Sequence, residues 1–129
     1  MADYLLDSDV IIWILRGKPG AIDAIHDLRS HGTLGCSALS VFEVELGIKP
    51  GEEDRTREFL GSLRCYAVDG QAASRAAGWF REYRRKGRTL DAMDLLIGAT
   101  CLRWNLTLVT YNPKDFPIPE LPLLPLRLR

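Results

Sequence analysis

The sequence has no surplus of charge. Seventeen Lys and Arg stand against 17 Asp and Glu in 129 residues, so no whole-chain field draws the protein to nucleic acid. Any such partner must be held by a local patch. Cysteine is scarce: Cys36, Cys65 and Cys101 are odd in number and lack any Cys-x-x-Cys spacing. Each lies in an apolar stretch, which argues against a disulfide framework or zinc site and for reduced, buried thiols. Long apolar runs are missing as well. The longest, Val10 to Leu15, falls well short of the roughly 20 residues that span a bilayer, and Met1-Ala2-Asp3 has no basic n-region. These absences set the expectation of a soluble, cytoplasmic protein with no membrane association. Internal repeats, low-complexity segments and interdomain linkers are absent too.

What is there suits a globular chain. Apolar residues make up 47% and charged residues 26%, which excludes general disorder. At this length one domain, residues 1–129, is expected, burying roughly two thirds of its unfolded surface. An apolar run ends in Asp7 and gives way to an apolar helix from about Val10 to Arg16. Ile22, Ile25 and Leu28 mark a second helix that Pro19 opens and His31-Gly32 closes. Thr33–Ser37 reads as a strand. Ser40–Gly47 reads as a helix with Leu39, Phe42 and Leu46 on one stripe, taken as its core face. Further helices are expected over 52–63, 71–86 and 91–104, with strands at 64–68 and 106–110. Asn112–Phe116 is a loop, and four prolines make the tail extended, with an edge strand at 123–128. Trp13, Trp79 and Trp104 fall in apolar helical phases, as core or interface residues. Strands separated by helices imply an α/β fold with a parallel sheet covered on both faces.

The informative residues are acids. A buried strand that delivers Asp7 at its C-terminal end places that acid in the crevice where open α/β sheets hold ligands. Glu43 lies near the core edge of its helix, with Glu45 nearer solvent. Asp94 stacks over Ile97 and Gly98 on a buried helix face, with Asp91 a turn earlier, and Asp115 and Asn112 follow the 106–110 strand closely. Each has a bland explanation alone. Asp7 or Asp9 suits a helix cap, Asp91 and Asp94 suit a first helical turn, Glu43 suits a solvated helix face, and Asp115 suits an Asx turn. Together they would face one crevice, where three or four carboxylates repel one another and raise each other's pKa. A cation would neutralise them, and hard oxygen ligands without His or Cys point to Mg²⁺ or Mn²⁺ rather than zinc. Such ions commonly serve phosphodiester chemistry.

The chain resembles the PIN-domain ribonucleases, specifically the VapC-type toxins of toxin–antitoxin pairs. The resemblance is carried by Leu5-Leu6-Asp7-Ser8-Asp9-Val10, by Ser40-Val41-Phe42-Glu43 with Gly47, and by Gly87-Arg88 leading to Asp94-Leu95-Leu96-Ile97-Gly98-Ala99-Thr100. Leu108-Val109-Thr110-Tyr111-Asn112 with Lys114-Asp115-Phe116 completes it. The segments occur in family order over nearly the whole chain. The resemblance implies a PIN-like α/β/α sandwich with a central, mainly parallel sheet of four to five strands. It implies an acidic site of Asp7, Glu43, Asp94 and Asp115, with Asp7 and Asp94 as metal ligands. Asn112 would be an auxiliary, and members differ in whether its position or that of Asp115 supplies the fourth group. Ser40 stands where the family often has Thr, and Asp9 where it commonly has Asn, adding a negative charge. Asp91 is a further auxiliary.

On this reading Mg²⁺, or Mn²⁺, polarises the scissile phosphate and acidifies a water, and Glu43 orients or deprotonates that water. Arg81, Arg84, Arg85, Lys86 and Arg88 form a basic cluster. It would either complement a helix C-terminus or track an RNA backbone, with Arg84, Arg85 and Arg88 as RNA-binding residues. Single-stranded or loop RNA suits a shallow site better than a duplex groove. The resemblance also implies an antitoxin whose C-terminal segment covers the acidic groove, and a homodimer. The apolar character of the 40–48 helix all round supports a buried interface. Two other readings fit less of the chain. One is a haloacid-dehalogenase-type phosphohydrolase, suggested by Asp7-Ser8-Asp9. The other is a catalytically silent PIN-like module that binds RNA or protein.

Overall fold

A computed structural model describes residues 2–127. Its strands are β1 (Ala2–Leu6), β2 (Gly32–Ser37), β3 (Arg64–Tyr66), β4 (Thr107–Thr110) and β5 (Leu123–Pro125), and its helices are α1 (Ser8–Leu15), α2 (Pro19–Arg29), α3 (Ala38–Leu46), α4 (Glu53–Gly61), α5 (Gly70–Arg85) and α6 (Ala92–Arg103). A 3-10 turn spans Pro113–Asp115. The strands form one sheet in the order β3-β2-β1-β4-β5, with every pairing parallel. The expected edge strand at 123–128 is shorter than the proline-rich tail suggested, and Leu128 lies outside the described residues.

Parallel strands covered on both faces read as continuous apolar runs, because successive residues serve opposite cores. Leu5 and Leu108 pack with α5 and α6 on one face, while Leu6 and Val109 pack with α1 to α4 on the other. All four are fully buried. Most helices begin at polar caps. Asp7, Ser37, Asp69 and Asp91 each accept a hydrogen bond from a backbone amide in the first turn of α1, α3, α5 and α6. A cap of this kind contributes about 1 kcal/mol. Gly87, at φ 84°, supplies the left-handed residue that ends α5. At Gly35 any side chain would collide with the Tyr66 ring and the Arg64 carbonyl, so β3 docks over a bare backbone.

Two sequence expectations are corrected. Leu39, Phe42 and Leu46 are not the core face of α3. Phe42 is 57% and Leu46 71% exposed, Leu39 is half-buried, and the helix buries Ser40 and Val44 instead. The stripe is apolar, but the sheet lies on the other side. Cys65 is exposed rather than buried, because β3 is an edge strand, whereas Cys36 and Cys101 are buried as expected. Of the tryptophans, Trp79 is in the core and Trp13 is half-buried against Tyr111. Trp104 is exposed, with its indole N–H donated to the Ala67 carbonyl at 3.1 Å.

Candidate active site

The strand order reverses between β1 and β4, since β1 leads to β2 on one side and borders β4 on the other. The carboxyl ends of strands at such a switch point leave an open crevice. Asp7 follows β1 directly and Thr110 ends β4. Asp7 is only 7% exposed. Its Oδ1 accepts from the Ser8 amide at 2.9 Å and its Oδ2 from the Thr110 hydroxyl at 2.8 Å. The Thr110 hydroxyl in turn accepts from the Asn112 amide at 3.0 Å. Asp7 is therefore both a helix cap and a group fixed at the floor of the crevice.

Asp9, one residue into α1, accepts from the Asn112 side-chain amide at 2.6 Å through Oδ2. Its Oδ1 is buried without a hydrogen-bond partner, an arrangement that ordinarily costs about 1–3 kcal/mol. From α3, Glu43 reaches the crevice half-buried, its Oε1 accepting from the Ser8 hydroxyl at 2.7 Å. The Ser8 and Ser40 hydroxyls lie 2.8 Å apart. One hydroxyl carries one hydrogen, so the Ser8 proton goes to the carboxylate and Ser40 completes the chain. Asp91 caps α6 by accepting from the Asp94 amide at 3.0 Å and is exposed. Asp94 is half-buried in the first turn, and Asp115 is exposed on the 3-10 turn.

The electrostatics show that these acids face one another. Burial, then Asp91, Asp115, Glu43 and Asp9, push the Asp94 carboxyl up to about 7. Burial raises Asp7 as well, with Asp9 and Asp94 adding to it against the two hydrogen bonds it accepts. Asp9 is raised by burial. Among the described residues no three His, Cys, Asp or Glu side chains already stand close enough to grip a metal ion. The donor set nonetheless suits a hard divalent cation: every candidate atom is a carboxylate, hydroxyl or amide oxygen, and one buried carboxylate oxygen has no proton to accept.

Asp94 thus lies within electrostatic reach of Asp7, Asp9, Glu43, Asp91 and Asp115, with Asn112 bonded to Asp9 and Ser40 to Ser8. The cations divide. Arg88 donates to the Lys114 carbonyl at 3.3 Å, which ties it to the turn carrying Asp115. Arg84 and Arg85 line a separate concavity with Gly78 and Arg81 on α5. Sequence reasoning missed Ser8 and Thr110 as members of the site. Both are buried polar residues beside Asp7, and only Ser8, set between Asp7 and Asp9 in the sequence, carried a local signal.

A parallel α/β sheet with an acid crevice at its switch point already defines a class of protein. Residues 4–118 match the PIN domain family model. The chain is 35% identical over 116 residues to Ribonuclease VapC10 of Mycobacterium tuberculosis, covering 90% of this chain and 87% of that one. It is 24% identical to Ribonuclease VapC2 of Rickettsia felis, over 92% and 93% of the two chains. Among solved structures, VapBC2 of Rickettsia felis bound to promoter DNA superposes with a TM-score of 0.84 at 23% identity, covering 95% and 98%. A toxin–antitoxin complex from Klebsiella pneumoniae gives 0.80 at 27% identity, covering 97% and 99%. This chain belongs to the PIN-domain family.

Proposed function

We propose that the protein is a Mg²⁺- or Mn²⁺-dependent endoribonuclease that acts as the toxin of a toxin–antitoxin pair. Relatives named VapC ribonucleases along nearly the full chain support the nuclease, and similar structures of VapBC complexes support an antitoxin partner. The observation that carries the reading is the convergence of Asp7, Asp9, Glu43, Asp94 and Asp115 near the switch point, with burial and then its acidic neighbours pushing the Asp94 carboxyl up to about 7.

Asp7 and Asp94 would hold the cation, with the unpartnered Oδ1 of Asp9 and the Asp115 carboxylate as further oxygen donors. When bound, the ion supplies Lewis-acid polarisation of the phosphate and acidifies water. Glu43, oriented by Ser8 and Ser40, takes the proton of the attacking water. Thr110 fixes Asp7, and Asn112 fixes Asp9, so both carboxylates are aimed before substrate arrives. Arg88 and Lys114 flank the acids and attract the RNA backbone. Arg84 and Arg85 extend that attraction along α5 for single-stranded or loop RNA. The antitoxin covers the acidic groove with a basic side chain.

The exposed Phe42 and Leu46 of α3 support that helix as the interface of a homodimer. No helix among the described residues is long and apolar enough to cross a membrane; a cytoplasmic location, with residues 1–129 acting as one PIN-like unit, is part of the proposal. The haloacid-dehalogenase reading gives way to the family match. A silent binding module has in its favour only the spacing of the acids. Cleavage of total cellular RNA with Mg²⁺, with Mn²⁺ and with EDTA, by wild type and Asp94→Asn, separates the two. Metal-dependent cuts lost in the variant support the nuclease, and absence of cuts by wild type with either ion supports the silent module.

A further inference from the structure

Cys36 and Cys65 are register partners on the parallel strands β2 and β3. Directly paired residues of neighbouring strands point to the same face of the sheet. Here that face is the one covered by α1 to α4, where Cys36 is fully buried beside Leu34 and Leu6. Cys65 stands on the edge strand and is exposed. The two thiols interact: burial, and then Cys65, push the Cys36 thiol up to about 12. Strands lie roughly 4.8 Å apart, inside the roughly 4.4–6.8 Å of Cα separation that a disulfide accepts. Neither residue borders the acids, and nothing in the proposed cleavage uses them.

We propose that Cys36 and Cys65 are a reversible dithiol, in which a low-molecular-weight disulfide oxidises the pair to an intrachain bond. Exposure makes Cys65 the first to react. Its thiolate attacks one sulfur of the small disulfide, forming a mixed disulfide and releasing one small thiol. Cys36 then attacks the Cys65 sulfur. The Cys36–Cys65 bond forms, the mixed bond breaks, and the second small thiol leaves with the proton that Cys36 gives up. Two cysteines lose two electrons and the small disulfide gains them. Cys36 lies out of solvent and meets the oxidant only as the mixed disulfide on Cys65, giving up its proton as it attacks, which sets the order of the steps. The bond would staple the three-residue strand β3 to β2, one residue before the Ser37 cap of the helix that carries Ser40 and Glu43. Cys101, buried on the opposite face, takes no part and serves as an internal reference.

The test uses the full chain incubated with excess oxidised glutathione, then denatured, alkylated and analysed by intact mass and peptide mapping. The expected product carries no glutathione, one alkylated cysteine at Cys101 and a Cys36–Cys65 cross-linked peptide that dithiothreitol removes. Cys36→Ser should retain one glutathione on Cys65, and Cys65→Ser should remain unmodified. Wild type that keeps glutathione on Cys65, or that links two chains through Cys65 on a non-reducing gel, overturns the proposal. The wild-type measurement decides alone if a variant does not fold, and no part of it depends on RNA cleavage.

Discussion

The N-termini of α1 and α5 open with the same device and end in opposite electrostatic states. Asp69 caps α5 by accepting from the Ala72 amide at 2.9 Å, and its other oxygen accepts from Arg103 Nε at 2.7 Å. The Ala72 amide and then Arg103 hold its carboxyl below the usual range. Asp7 caps α1 through the Ser8 amide, yet burial and its acidic neighbours push its carboxyl up. Capping explains why each helix starts where it does. It does not explain why, in a chain with as many cations as acids, the buried Asp7 cap has no salt-bridge partner among the described residues. The difference separates Asp69, a capping acid paired with Arg103, from Asp7, where the proposed cation would offset buried charge.

The largest effect that sharpens this contrast is expected from Asp94→Asn. It should reduce RNA cleavage by more than the roughly 10–100-fold that supporting residues around a metal cost, while circular dichroism stays native. Asp69→Asn should leave cleavage unchanged and lower the melting temperature. If Asp69→Asn abolished cleavage and Asp94→Asn did not, the two regions would exchange roles.

Ser8→Ala comes next. With Glu43 no longer held at 2.7 Å, kcat should fall roughly 10–100-fold with KM little changed, as steady-state cleavage of a defined oligonucleotide would read.

Proton linkage gives a third contrast. The folded Asp94 carboxyl titrates near 7 against an ordinary 3.8, so the folded state binds more protons than the unfolded state between those values. The contribution of Asp94 to the stability of the metal-free protein is fully present below 3.8 and is lost as pH rises to about 7. Asp69 acts with the opposite sign: its contribution is present above the ordinary carboxylate pKa and fades as pH falls below it. Mg²⁺ or Mn²⁺ at about 100 times Kd should stabilise by about 2.7 kcal/mol, a rise on the order of 5–15 °C for a chain of this size. Thermal melts should show a larger rise at pH 8 than at pH 5 and little rise in Asp94→Asn.

The smallest effect is expected at the basic cluster. Replacing both Arg84 and Arg85 by Ala should lower the slope of log binding against log salt by about 0.7 for each phosphate no longer neutralised. An unchanged slope would make them a helix-end complement only.

The sheet, its parallel sense and the crevice acids were legible because strand runs, caps and turn residues act locally. The strand order was not, since Leu5 and Leu108 carry the same apolar signature whichever strands they border. Phe42 and Leu46 misled for a related reason: a 3.6-residue apolar period shows that a face seeks cover, but not whether the sheet or another molecule supplies it. The buried polar residue on that helix, Ser40, would have pointed to the true inward face had its bond to Ser8 been visible. That bond spans 32 positions, and the one joining Thr110 to Asp7 spans 103. Pairings at such separations follow from the completed fold and leave no trace in neighbouring residues.

Both rims of the sheet are brief. β3 and β5 have three residues each, and β5 ends at Pro125. A rim so short offers a foreign strand few backbone groups to continue the ladder, and a proline has no amide to give. Fibrillar growth by sheet extension is therefore discouraged by the architecture itself.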